Sequence, residues 1–207
     1  MTQLANVRNL ELGCGANKRK DFFGIDIAAG PQVDLLLDIE RQALPFHDGS
    51  VDRIYSSHTF EHLEAPGSPI QTLREVIRVA RHRAEIEIWT PYGRSNDGLL
   101  FGHRVFYTET HWKHICFEYD DFYLGADVPG RFLWERTQYV LYPGILERLA
   151  ELRIPSGFAI THMSNIALEF GVFLRVDKYL TKAPRPQLPT IELCYRRGEV
   201  LETISVL

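Results

Sequence analysis

Apolar runs of six or seven residues alternate with polar turns over the first ninety or so residues, and one amphipathic segment stands among them. That alternation predicts parallel βαβ units. The runs place strands at residues 7–12, 22–27, 33–39, 51–57 and 84–90, the last stopped by Pro91. Roughly ten residues separate the first two strands, where a parallel crossover usually takes a dozen or more, so a short or distorted helix is expected there. The clearest helix follows the fourth strand. Pro66 and Gly67 precede Ser68 as N-cap, Pro69 takes the first helical position, and Gln71 completes a capping box. Ile70, Leu73, Val76, Ile77 and Ala80 then recur at helical spacing, while Arg74, Glu75, Arg78 and Arg81 face away.

Beyond Pro91 the pattern is less regular. Residues 93–102 form a polar, Gly-rich loop, and Thr108 is placed to cap a short helix carrying His111, Trp112 and Ile115. Residues 132–140 read as a sixth strand, and Pro143 opens a helix with Ile145, Leu146, Leu149 and Leu152 on one face. The apolar segment 156–180 suits helix or strand equally, and also a lid or a homodimer interface. Residues 183–189, with three prolines, are a stiff linker into a last strand at 190–197.

Length and composition fit one domain over residues 1–207, with 45% hydrophobic and 24% charged residues. A formal net charge of −4 gives no footprint for nucleic acid as a main partner. Cys14, Cys116 and Cys194 are few, odd in number and far apart, as expected of buried thiols in a reducing cytoplasm. No apolar run approaches the ~18 residues of a membrane span, and no leader pattern opens the chain, so a soluble protein is expected.

The most informative stretch is Leu10-Glu-Leu-Gly-Cys-Gly-Ala-Asn-Lys18, followed by Gly24-Ile-Asp-Ile27. Two glycines one residue apart let the backbone turn sharply after one strand, and a second strand ends in an acid. An open parallel sheet binds its ligand at that edge. Glu11 and Asp26 bracket the turn, which suits a positively charged purine nucleoside better than a pyrophosphate.

At these residues the chain resembles the class I S-adenosylmethionine-dependent methyltransferases, and more narrowly a small bacterial branch whose first motif reads L-x-L-G-C-G-x-x-K. The resemblance runs from Val7 to Pro91 and includes Leu44-Pro45-Phe46, Ser50-Val-Asp52 and Ser56-Ser-His-Thr-Phe-Glu-His62. It implies an α/β fold, a Rossmann-like, doubly wound, mostly parallel seven-stranded sheet with an elaborated C-terminal third. Residues 1–91 would be the cofactor half and residues 92–207 the acceptor-side loops, a helical insertion and the last strands. It implies S-adenosylmethionine as cofactor and methyl transfer to a small molecule or glycan precursor. Gly13, Cys14 and Gly15 would pack under its methionine part, Asp26 would take the ribose hydroxyls, and Asp38 the adenine amino group with Ile39 on the ring. Glu11, Ile27 and Ser56 complete the expected cofactor set. The family's third loop glycine is replaced by Asn17.

His58 follows the fourth strand, where the resemblance puts a general base or an acceptor contact. His62, Tyr92, His103, Tyr107 and His111 are acceptor-side candidates. His58, Glu61 and His62 do not complete a metal set, because the sequence places no third ligand beside the two histidines, and a sulfonium donor needs no Lewis acid; no metal is expected. Cys14 reads as a small turn residue rather than a nucleophile. Two other functions use similar elements: a catalytically silent cofactor-binding scaffold, and a nicotinamide-dependent oxidoreductase, which the absence of G-x-G-x-x-G disfavours.

Overall fold

A computed structural model describes residues 4, 6–64, 67–182 and 189–204. The apolar runs become β1 (Asn9–Leu12), β2 (Phe23–Asp26), β3 (Leu35–Leu36), β4 (Val51–Ser57) and β5 (Ala80–Pro91). The C-terminal part adds β6 (Arg131–Leu141), β7 (Ala167–Asp177), β8 (Thr190–Cys194) and β9 (Val200–Ile204). All pair in one sheet of order β3-β2-β1-β4-β5-β7-β6-β8-β9 among the described residues. The Rossmann-like sheet is as expected in kind, with nine strands rather than seven. One extra strand is β7, from the segment that suited helix or strand equally; the other arises where segment 190–197 stops at Cys194 and turns back antiparallel as β9, with Ile191 opposite Ile204.

Among the described residues five α-helices accompany the sheet: α1 (Ser68–Val79), α2 (Glu109–Lys113), α3 (Asp120–Leu124), α4 (Ile145–Glu151) and α5 (Ser156–His162). Residues 13–22 form turns and no helix, so the short crossover goes further than the spacing suggested. Glu11 does part of what a helix would do there, its carboxylate accepting the Arg19 N–H at 2.6 Å. The expected capping box at Ser68 does not form, since Gly67 is the N-cap and no side chain caps it; Pro66 lies outside the described residues. Thr108 does cap α2, and His111 closes the box by accepting the Thr108 N–H on Nδ1 at 3.2 Å.

Segment 156–180 divides into α5 and β7. β7 is hydrogen-bonded to β5 on one side and β6 on the other, so it is an interior strand of the sheet and not a lid. The linker at 183–189 falls outside the described residues except for Pro189. Every buried apolar helix residue joins one large cluster under a single face of the sheet. Across the other face lie Tyr55, Trp89, Val140 and Cys194, with Phe22, Leu168 and Phe173 beside them. Arginines roof that face, Arg19 lying 3.4 Å from the Tyr55 ring centroid and Arg136 3.4 Å from that of Phe173. Their alkyl stems cover apolar surface that a helix would otherwise shield. No helix among the described residues is long and apolar enough to cross a membrane.

Candidate functional site

The carboxyl ends of β1, β2 and β4 share one edge of the sheet, and a cleft of ≈510 Å³ opens there, a size that suits a small-molecule ligand. It is lined by Gly13 and Gly15 of the turn, by Ile25, Asp26 and Ile27 at the end of β2, by residues 37–40, and by His58, Thr59, His62 and Leu63 after β4. The turn is fixed from below, the N–H groups of Gly13 and Cys14 both donating to the Ile25 carbonyl at 2.8 and 3.1 Å.

Gly13 has φ of +69°, and a Cβ there would lie 2.0 Å from Thr59 Oγ1. Gly15 has φ of +54° but open space around it. Gly13→Ala should therefore cost about 2 kcal/mol or more and displace the turn, while Gly15→Ala bears only the left-handed backbone cost of roughly 1–2 kcal/mol. Thermal melts of both variants check the order; equal losses would remove the Thr59 contact from the explanation.

Asp26 anchors the same turn. Its Oδ2 accepts the Gly15 N–H at 2.8 Å and its Oδ1 the Ala28 N–H at 2.9 Å. Asp38 lines the cleft while closing a turn of its own, accepting the Glu40 N–H at 3.0 Å and pairing with Arg41 at 3.0 Å. Between these carboxylates the lining is apolar. Ile27 is 71% exposed on the cleft wall, an apolar side chain open to a ligand.

Several residues expected at the site stand elsewhere. Glu11 is 4% exposed beneath the turn rather than on the rim, and burial raises its carboxyl against the pull of the Arg19 N–H. Ser56 is fully buried and donates to the Leu12 carbonyl at 2.9 Å. Cys14 is buried, and burial with the charges of Asp26 and Glu11 pushes its thiol up to about 11, which suits a turn residue and not a nucleophile. Tyr92 lies in the core, its hydroxyl donating to the Ile160 carbonyl at 3.1 Å. Tyr107 is buried and stacks on Trp112, and His111 is committed to capping α2. His103 lies beside His62, the ring centroids 5.0 Å apart.

His58 lines the cleft in a left-handed backbone conformation, φ +52°. Its Nε2 is 2.8 Å from Glu169 and its Nδ1 3.3 Å from Glu61. These carboxylates outweigh its partial burial and raise its pKa to about 9, so the ring holds its proton at neutral pH. Arg197 bonds Glu169 at 2.7 Å and stacks on Trp89 at 4.3 Å. Burial alone would raise Glu169, but Arg197 and His58 hold it at about 2. Sequence reading missed Glu169 and Arg197, which lie 111 and 139 residues from His58 with no local motif to mark them. It also missed Thr59, Glu40, Leu37 and Leu63. Only Thr59 had a signal, its place inside the segment running from Ser56 to His62.

A glycine turn beneath, carboxylates at two strand ends and apolar walls between them can hold a nucleoside. A pyrophosphate is poorly served, because no helix N-terminus follows the turn in residues 13–22 to receive it.

Comparison with known proteins agrees. Residues 10–86 match the model of the methyltransferase domain family. The fold is similar to an S-adenosylmethionine-dependent methyltransferase from Archaeoglobus fulgidus, at 16% identity and TM-score 0.56, covering 83% of this chain and 86% of that one. Another from Aquifex aeolicus aligns at 19% identity and TM-score 0.47, covering 82% of each chain. No curated protein matches. The family match takes in well under half of the chain, and the fold as a whole is similar to that of S-adenosylmethionine-dependent methyltransferases.

Proposed function

We propose that the chain transfers the methyl group of S-adenosylmethionine to a small-molecule or glycan-precursor acceptor, with the cofactor seated in the cleft between the ends of β1, β2 and β4. The observation that carries this reading is the cleft's composition, with Asp26 and Asp38 at the ends of successive segments and Ile27, Leu37 and Ile39 beside them. Asp26 accepts from the ribose hydroxyls, Asp38 from the adenine amino group, and the isoleucines flank the ring. The methionine part lies over Gly13 and Gly15. Bound there, S-adenosylmethionine would supply a methyl carbon for in-line attack by the acceptor's nucleophilic atom, its sulfur leaving as a neutral thioether and the acceptor's proton passing to solvent. The donor brings its own leaving group, so the protein's contribution is chiefly the near-attack geometry. The acceptor class follows the resemblance to the bacterial branch and the net charge of −4, which is not that of a nucleic-acid-binding domain. Three unpaired, buried cysteines support a cytoplasmic location.

His58 takes a positioning role in this reading. Both ring nitrogens already face carboxylates, so neither offers a lone pair to an acceptor's proton. His58→Gln should keep turnover within about tenfold of wild type, with cofactor affinity unchanged; loss of a general base would cost roughly 10²–10⁴-fold. A loss in that range, in a variant that binds cofactor normally, restores the base.

Calorimetry tests the cofactor site directly. S-adenosylmethionine and its demethylated product should bind, and NAD should not. Binding of NAD with equal affinity would overturn the reading in favour of an oxidoreductase. Binding of the methyl donor, with no acceptor consumed from a panel of small molecules and glycan precursors, would favour a silent scaffold.

A further inference from the structure

Glu61 sits in a short 3-10 turn, Phe60–His62, and is 1% exposed. Its Oε2 has no hydrogen-bond partner among the described residues, and its Oε1 faces only the His58 ring, whose Nδ1 stands 3.3 Å away. A buried carboxylate short of donors is costly and calls for a partner.

Two imidazoles lie beside it. His62 is its chain neighbour, and His103 arrives on the loop after β5. That loop is tied across the turn by the N–H groups of Arg104 and Val105, which donate to the Glu61 carbonyl at 2.7 and 3.2 Å. Glu61, His62 and His103 each offer a ligand atom within 4.8 Å of the others. The sequence placed no third ligand beside these residues; the fold supplies His103, which lies 41 residues beyond His62.

The orientation of the rings is the second observation. His62 Nδ1 faces the Gly102 carbonyl at 3.3 Å, and His103 Nδ1 faces the Gly98 carbonyl at 3.0 Å. A carbonyl only accepts, so each proton is assigned to Nδ1 and each Nε2 keeps its lone pair. Metal-binding histidines are held in this way by backbone carbonyls.

We propose that Glu61, His62 and His103 bind one divalent d-block cation, zinc suiting the donor set best. Two imidazoles and one carboxylate are a known zinc set, while magnesium and calcium prefer oxygen ligands. Bond lengths of about 2.0–2.2 Å put ligand atoms roughly 3.3 Å apart, so the site closes by rotation of side chains. Three protein ligands leave a fourth position open. His62 lines the cleft, so the ion would border it and fasten the loop after β5 to its wall.

The test is binding, independent of methyl transfer. Full-length protein dialysed against a chelator is titrated with zinc chloride, and separately with cobalt chloride while the visible spectrum is recorded. Expected are one equivalent of zinc bound, a raised melting temperature and cobalt bands of a low-coordinate site. His103→Ala and Glu61→Gln should each weaken zinc by about 10²-fold or more, since losing a ligand costs more than the roughly 10–100-fold of losing a group that only orients one. His162→Ala, at an exposed position of α5, should leave zinc binding as it was. Glu61→Gln keeps the shape of the buried side chain, so it reports on ligation even if His103→Ala unfolds the loop. No zinc binding, equal zinc affinity in wild type and Glu61→Gln, or magnesium binding as tight as zinc would each overturn the proposal.

Discussion

Asp26→Ala should weaken S-adenosylmethionine by roughly 10²–10⁴-fold in calorimetry while the protein stays folded. Two ribose hydroxyls lose an acceptor, and a hydrogen bond to a charged group is worth roughly 1.5–3 kcal/mol, or about 3–6 kcal/mol for the pair. The same carboxylate also accepts the N–H groups of Gly15 and Ala28, so the glycine turn loosens as the ligand contact disappears. Asp26→Asn separates the two effects. The amide keeps one acceptor oxygen and the shape of the side chain, so part of the affinity should return. A melting temperature close to wild type in both variants keeps the result a statement about binding. Unchanged affinity in Asp26→Ala would place the ribose elsewhere, and the cleft would lose the observation that carries its assignment.

The half of the fold that could be read from the chain is the half made by local rules. β1, β2, β4 and β5 follow from apolar runs bounded by turns, and α1 from its spacing. The details at their ends did not follow. Residues 33–39 are nearly all apolar, yet only Leu35 and Leu36 pair as strand, because β3 is the sheet edge with β2 as its one neighbour. Asp34 turns back there to accept the Gly24 N–H at 2.7 Å and to pair with Lys18. α1 runs straight into β5 at Ala80, so the strand opens four residues before the apolar alternation announces it.

The cleft divides the same way. Gly13, Gly15, Asp26, Ile27, Asp38, Ile39 and His58 line it, because strand carboxyl ends gather at one edge of a parallel sheet. Glu11 shares the motif but turns under the loop, since with no helix in residues 13–22 its carboxylate is the available acceptor for Arg19. Tyr92, Tyr107 and His111 lie past the right strand, and their rings go to the core or to a cap instead. What decides His58 comes from β7 and from the turn between β8 and β9, a convergence that no spacing in the chain encodes.

Arg131→Met should be the most destabilising of these single changes, by about 3–5 kcal/mol, the usual cost of breaking a buried ion pair from one side. Arg131 opens β6 with its side chain 1% exposed. Its Nε donates to Asp120 at 2.7 Å and one terminal nitrogen to Asp121 at 2.8 Å, while the carbonyls of Gly130, Val128 and Gly125 accept at 2.9, 3.2 and 3.2 Å. Five donors meet five acceptors, a fork that lysine cannot reproduce. The cluster latches α3 to the start of β6, and with it the chain that returns from the cleft. For a domain of this size the loss corresponds to a fall of roughly 10 °C in melting temperature, read by calorimetry or urea unfolding. Asp120→Asn with Arg131→Met should cost less than the sum of the single changes, because the two groups share one interaction. Cofactor affinity of the folded fraction should hold, since Arg131 lies outside the cleft. A loss below about 1 kcal/mol would mean that this buried fork contributes no more than an exposed ion pair does, and the latch between α3 and β6 would have to rest on the packing of Leu124, Val128 and Phe132 alone.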